Sequence, residues 1–229
     1  RTLAIGDIHG CSRAFDLLIA AVQLQPDDRI IALGDYVDRG PDSKGVLDRL
    51  IALHATGRLV ALRGNHEIMM LLARVDVSSA RFWLKFGGDT TLASYATSGQ
   101  PKTLRDVPRS HWEFIENVCV NYYETDMHIF VHAGLNPDLA LSDQPESVLF
   151  WERFADVGPH FSGKTVICGH TSQKSGRPIN LGYAICIDTC VYGQGWLTCL
   201  DVTSGKVWQT NQAGQQRTAW IHDFLVSDY

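Results

Sequence analysis

The sequence predicts an α/β fold in which a largely parallel sheet packs on a second, mixed sheet. Three observations carry this reading. Up to residue 62, short apolar runs alternate with stretches of helical spacing. Each of those runs ends in a short polar motif rich in Asp, His, Asn and Gly. From residue 120 onward the apolar segments are short, rich in β-branched or aromatic residues, and separated by turn residues.

The elements follow in order. Residues 3–5 form a strand. A helix is expected over 11–24, where Phe15, Leu18, Ile19 and Val22 recur on one face and Ser12 can cap the start. A second strand covers 29–33, a second helix 42–53 through Val46, Leu47, Leu50 and Ile51, and a third strand 59–62. This alternation implies parallel strands covered by helices. Right-handed crossovers place their C-terminal ends on one edge, where ligands of such sheets bind. Residues 68–117 read as mostly helical, broken near Gly87-Gly88 and over 98–102, and are expected to form a helical cap insertion that selects substrate. Strands are expected over 120–124, 128–131, 165–168, 183–187, 196–202 and 206–210. Thr203-Ser204-Gly205 supplies a hairpin turn between the last two. One domain over 1–229 accommodates all of them.

Composition narrows the function. No run of about 18 apolar residues is present, so no membrane span is expected. A net charge of −5 with scattered basic residues argues against a general nucleic-acid binder. The cysteines (Cys11, Cys119, Cys168, Cys186, Cys190 and Cys199) lack CxxC spacing and lie mostly in apolar stretches. That cysteine pattern leads to the expectation of a reducing, cytoplasmic setting, and no signal peptide is visible. The redox state of Cys186 and Cys190 is left open, as is the oligomeric state.

Five motifs carry the chemistry: Gly6-Asp7-Ile8-His9-Gly10, Gly34-Asp35-Tyr36-Val37-Asp38-Arg39-Gly40, Gly64-Asn65-His66-Glu67, Val131-His132-Ala133-Gly134 and Gly169-His170. Any one of them alone is as readily a turn or a helix cap. Together they describe a two-metal site for phosphate esters. Asp7 and His9 lie two apart and share a face if their segment is extended. Asp35 can bridge two ions through its two oxygens, Asn65 offers an amide oxygen, and His132 and His170 offer nitrogens. Carboxylate, amide and imidazole suit manganese, iron, zinc or a mixed pair. Two such ions about 3.5–4 Å apart can share a hydroxide and clamp a phosphoryl oxygen. His66 beside Asn65, with Asp38 on its ring, is placed to protonate a leaving oxygen. Arg39 and Arg63 flank the same loops and can fork onto phosphate, or else pair with Asp38, Asp42 or Glu67. Arg153 is a weaker third candidate.

These residues resemble the phosphoprotein phosphatases, the metal-dependent serine/threonine phosphatases, within the calcineurin-like metallophosphoesterases. GDxHG, GDxxDRG and GNHE are matched without substitution, and VHAG and CGHT match the later histidines. Small bacterial and phage members look closest. The resemblance implies a β-sandwich of two mixed sheets flanked by helices. It implies one metal on Asp7, His9 and Asp35, and a second on Asp35, Asn65, His132 and His170. It further implies a His66–Asp38 acid pair and phosphate on Arg39 and Arg63, with Arg153 in the interval where many relatives carry another arginine.

The expected activity is hydrolysis of phosphoserine and phosphothreonine monoesters by a metal-bridging hydroxide, on a phosphoprotein or a small phosphate ester. A symmetrical dinucleoside tetraphosphate hydrolase shares the same motifs and is the nearest alternative. A metallo-nuclease is more distant. A metal-holding module that binds phosphoproteins without catalysis is the alternative from another class.

Overall fold

Two sheets face each other across a layer of apolar side chains, in a computed structural model that describes residues 1–96 and 102–226. The first sheet has strand order β11-β10-β9-β1-β2-β3, with β1 Thr2–Ile5, β2 Arg29–Ala32, β3 Leu59–Ala61, β9 Leu197–Asp201, β10 Lys206–Thr210 and β11 Gln216–Trp220. The second runs β4-β5-β6-β8-β7, with β4 Tyr122–Glu124, β5 His128–Val131, β6 Thr165–Cys168, β7 Ile179–Asn180 and β8 Ala184–Cys186. In each sheet three neighbours are parallel, β1-β2-β3 and β5-β6-β8, and antiparallel strands extend the edges. The fold is the α/β sandwich of two mixed sheets that the resemblance implied. The parallel reading of the first sheet holds for β1-β2-β3 and not for the β9–β11 side.

Side-chain alternation explains why the sheets stack. Ala4, Ile31, Phe130, Ile167 and Ile185 point into the layer between them. Their neighbours point outward: Leu3, Ile5, Ile30 and Ala32 toward helices, and Ile129, Val131, Val166 and Cys168 toward the other flank. A strand buried on both faces has no polar position to reveal its period, so these segments read as continuous apolar runs.

Helix α1, Ser12–Val22, packs Phe15 and Leu18 on the outer face of the first sheet, beside α2, Ser43–His54. Ser12 is the first helical residue of α1 and not its cap; Cys11 holds the cap position without a side-chain bond. Asp42 caps α2 by accepting from Gly45 N at 2.9 Å. The 68–117 segment divides into α3 Asn65–Ala73, α4 Val77–Trp83, α5 Asp89–Ser94 and α6 Arg109–Glu113, among shorter turns. The expected break at Gly87-Gly88 is present, with Gly87 at φ 106°. The other lies outside the described residues except for Lys102. Met69, Met70, Trp83, Tyr95, Trp112 and Ile115 share one apolar cluster with β1, β2, α1 and α2. The sequence reading missed β7, β11 and α7, Glu146–Trp151. β11 is largely exposed, so no buried stripe marks it. All six cysteines are buried and free, Cys186 and Cys190 included. Among the described residues no helix is long and apolar enough to cross a membrane.

Candidate active site

The parallel strands of both sheets deliver their polar loops to one place. Asp7 and His9 follow β1, Asp35 to Arg39 follow β2, and Asn65 and His66 open α3 directly after β3. His132 follows β5 and His170 follows β6. Among the described residues, seven non-glycine residues have positive φ, and His9, Asp35, Asp38, Arg39 and His170 are five of them. Each such conformation costs about 1–3 kcal/mol and persists only where surrounding bonds over-determine it. Here Ile8 N and His9 N both donate to Asp35 O, and Gly10 N donates to Tyr36 O. Asp7 and His9 therefore do not share a face by extension; His9, at φ 44°, turns the chain. Gly34, at φ 99°, faces Gly64 and the His132 ring so closely that a Cβ there would overlap both.

Asp35 stands at the centre, fully buried. Its Oδ2 faces His9 Nε2 at 3.5 Å and His66 Nε2 at 3.9 Å, and its Oδ1 faces His132 Nε2 at 3.4 Å. Two potential metal clusters share it: His9, Asp35 and His66, and Asp35, His132 and His170. Second-layer bonds aim the rings. His132 Nδ1 donates to Leu33 O at 2.8 Å and His9 Nδ1 to Val37 O at 2.9 Å, because a carbonyl can only accept. In the neutral form of either ring Nε2 is then the lone pair. His132 Nε2 meets Asn65 Oδ1 at 3.0 Å, and His170 Nδ1 meets the same oxygen at 3.1 Å. Acceptors converging on a buried carboxylate suit cations, and the donors are oxygen and nitrogen without sulfur. Asp7 falls in neither cluster, and both its carboxylate oxygens lie 3.1 Å from His170 N.

The local electrostatics agree. Burial pushes Asp35 upward, but His132, His66, His9 and His170 together hold its carboxyl below the usual range. Burial, then Asp188 and Asp35, push Asp7 well above that range, which a bound cation would reverse. Burial keeps His9 neutral and, with His132, lowers His170 to about 4, so both rings offer lone pairs. His66 goes the other way. Burial disfavours its charged form, but Asp35 and then Asp38 outweigh this and raise it. His66 Nδ1 lies 2.7 Å from Asp38 Oδ2.

The arginines separate. Arg39 Nη1 lies 3.1 Å from His9 Nε2 and its guanidinium covers the Tyr192 ring at 4.5 Å, inside the site. The expectation for Arg63 needs correction. Its guanidinium is engaged by Ile115 O, Glu116 O, Cys119 O and Asn121 Oδ1 at 2.9–3.3 Å, four acceptors for five N–H groups. Arg63 fastens the strand-β4 approach and has little left for phosphate. Arg153 is exposed, and the next residue, Phe154, donates its N–H to Thr171 Oγ1 at 3.0 Å beside His170.

Asp188 and Tyr192 escaped the sequence reading, and Glu67 entered it only within the third motif and as a possible arginine partner. Asp188, buried after β8, accepts from Ser172 Oγ at 2.5 Å and Cys190 N at 3.0 Å. Ile187-Asp188 repeats the strand-then-carboxylate form of the other motifs, and that signal could have found it. Glu67 accepts from Asp35 N, Tyr36 N and Gly64 N at 2.8–2.9 Å, with burial and Asp35 pushing it up to about 7. Tyr192 packs edge-on against His9, with centroids 4.9 Å apart.

A two-sheet sandwich with a carboxylate shared between two ligand clusters defines a metallophosphoesterase. Residues 1–174 match the profile of the calcineurin-like phosphoesterases, and the chain belongs to that family. It is 32% identical over 156 residues to serine/threonine-protein phosphatase 1 of Salmonella typhimurium, covering 67% of this chain and 63% of that protein. It is 31% identical over 224 residues to the asymmetrical bis(5'-nucleosyl)-tetraphosphatase PrpE of Anoxybacillus flavithermus, covering 86% of this chain and 88% of that one. A cold-active protein-tyrosine phosphatase from a Shewanella species superposes with TM-score 0.64 at 17% identity, covering 95% of this chain and 79% of that one, a likeness of fold. The chain thus has the family's fold and two ligand clusters that share Asp35.

Proposed function

We propose that this chain hydrolyses phosphoserine and phosphothreonine monoesters in a single displacement at phosphorus. Asp7, His9 and Asp35 would hold one divalent cation, and Asp35, Asn65, His132 and His170 the other, manganese being the first candidate. Bound there, the ions supply the charge that activates water and polarises the phosphoryl group. Arg39 binds the equatorial phosphate oxygens, for which its position over Tyr192 leaves it within the site. Arg153, exposed beside the His170 loop, is a second candidate contact. His66 holds a proton for the leaving oxygen, and Asp38 fixes its tautomer and stabilises its charged form. The observation that carries the reading is this buried His66–Asp38 bond, which a site that only holds metal does not require.

Hydrolysis of dinucleoside tetraphosphates is the second reading, favoured by the Anoxybacillus relative that matches nearly end to end. Manganese-supplemented turnover of a phosphoserine peptide and of diadenosine tetraphosphate, measured side by side, tests both. Faster cleavage of the peptide supports the proposal; cleavage of the dinucleotide alone replaces it.

A further inference from the structure

Asp38 is reached by more than its histidine. Its carboxylate is fully buried and accepts three donors from three parts of the chain. His66 Nδ1 lies at 2.7 Å from Oδ2. Trp83 Nε1 lies 2.9 Å from Oδ2 and 3.1 Å from Oδ1. Thr91 Oγ1 donates to Oδ1 at 2.6 Å. Thr91 Oγ1 also accepts from Asp38 N at 2.8 Å and meets Ser43 Oγ at 2.9 Å, so one hydroxyl holds both the backbone and the side chain of Asp38. Trp83 and Thr91 close the ends of the Gly87-Gly88 turn, and that turn is shaped for the task. Gly87 O accepts Arg39 N at 3.3 Å, and a Cβ on Gly88 would collide with the Trp83 indole.

We propose that Trp83 and Thr91 are positioning residues for the His66–Asp38 pair, so that the 83–91 turn presets the proton donor of the reaction. The inference rests on the acid role given to His66 above. The physical case is that a carboxylate can orient an imidazole only if its own rotation is fixed. Asp38 has two oxygens, and without Trp83 and Thr91 the bond to His66 would leave it free to swing about χ2. Three donors also spread its charge while leaving Oδ2 directed at His66 Nδ1. The same turn backs Arg39, so the group that protonates and the group that binds phosphate share one support.

The test uses the whole metal-loaded chain with Thr91→Val, which removes the hydroxyl at equal size, Thr91→Ser, which restores it, and Trp83→Phe. Thr91→Val and Trp83→Phe should lower kcat on phenyl phosphate roughly 10–100-fold, the usual effect of removing such a partner. KM should hold, the loss on p-nitrophenyl phosphate should be smaller because that leaving group needs little protonation, and Thr91→Ser should recover the rate. In a His66→Asn background Thr91→Val should add no further loss. The low-field proton resonance of the His66 Nδ1–H should shift in Thr91→Val and return in Thr91→Ser. Equal losses on both substrates, the same loss without His66, or an unmoved resonance in a folded Thr91→Val protein would overturn the inference. If the parent protein cleaves no phosphate ester, the proposed activity fails and the resonance alone decides the positioning role.

Discussion

His132 Nε2 and Asn65 Oδ1 face each other at 3.0 Å, two lone pairs in the neutral ring that donates from Nδ1 to Leu33 O. Turning the amide over would let its nitrogen donate to Asp35 and to His132 instead. The same side chain can therefore give oxygen to a cation, or nitrogen to the ring and carboxylate alone. Divalent cation is expected to stabilise the fold by about 2.7 kcal/mol at about 100 times its Kd, which is a Tm rise of roughly 5–10 °C for a chain of this length. Thermal unfolding with manganese and with chelator measures it. His132→Ala should remove most of the manganese-dependent rise.

His66→Asn should keep that rise while losing turnover. The loss should be about 10²–10⁴ on substrates with poor leaving groups, the usual contribution of a positioned acid. Asp38→Asn should follow the same pattern, because an amide no longer holds the ring's proton on Nδ1 against a negative charge. Steady-state kinetics beside metal-dependent Tm separates these effects; a His66→Asn enzyme as fast as its parent on phosphoserine peptide would end the acid assignment.

Arg39 and Arg63 should part company on mutation. Arg63→Ala strips the acceptors on Ile115, Glu116, Cys119 and Asn121 of their shared partner. It should destabilise by on the order of 2–3 kcal/mol, a Tm drop of roughly 4–12 °C, with KM unchanged. Arg39→Ala should lower kcat/KM roughly 10–100-fold, the worth of a charged hydrogen bond to phosphate. Paired melting curves and kinetics on p-nitrophenyl phosphate give the answer.

A pH dependence should come from His111, far from the metal ligands in sequence. Its Nε2 lies 2.9 Å from Asp48 Oδ1 and its Nδ1 2.7 Å from Tyr95 OH, joining α6 to α2 and to the residue after α5. Burial lowers its pKa from the ordinary 6.5, more than Asp48 raises it. The unfolded chain thus binds the proton more readily than the fold does. The stabilisation is present above 6.5 and is lost as pH falls through the depressed folded value. His111→Gln keeps a donor for Asp48 and cannot titrate, so its Tm should fall less steeply on acidification. Parallel slopes for the two proteins would remove His111 from the account.

Local chemistry made much of this protein legible. Apolar runs at β1, β2, β3, β5 and β6 each end in Asp, Asn or His, and a strand end is where such a side chain can leave the sheet for a shared edge. That reasoning located Asp35 between two clusters without any coordinates. It failed where the deciding partner lies far along the chain. Nothing near Arg63 announces that carbonyls more than fifty residues away take up its guanidinium. Likewise β11 has no buried stripe to mark it.

By itself, then, the sequence determined the residue types of the five motifs, their order and their placement at strand ends, because these depend on periodicity and on neighbours a few residues apart. Only the tertiary structure decided which arginine faces the pocket and that Trp83 and Thr91 hold Asp38. Those outcomes are hydrogen bonds across 45 to 56 positions of chain, set by how buried donors find acceptors once the sheets have stacked.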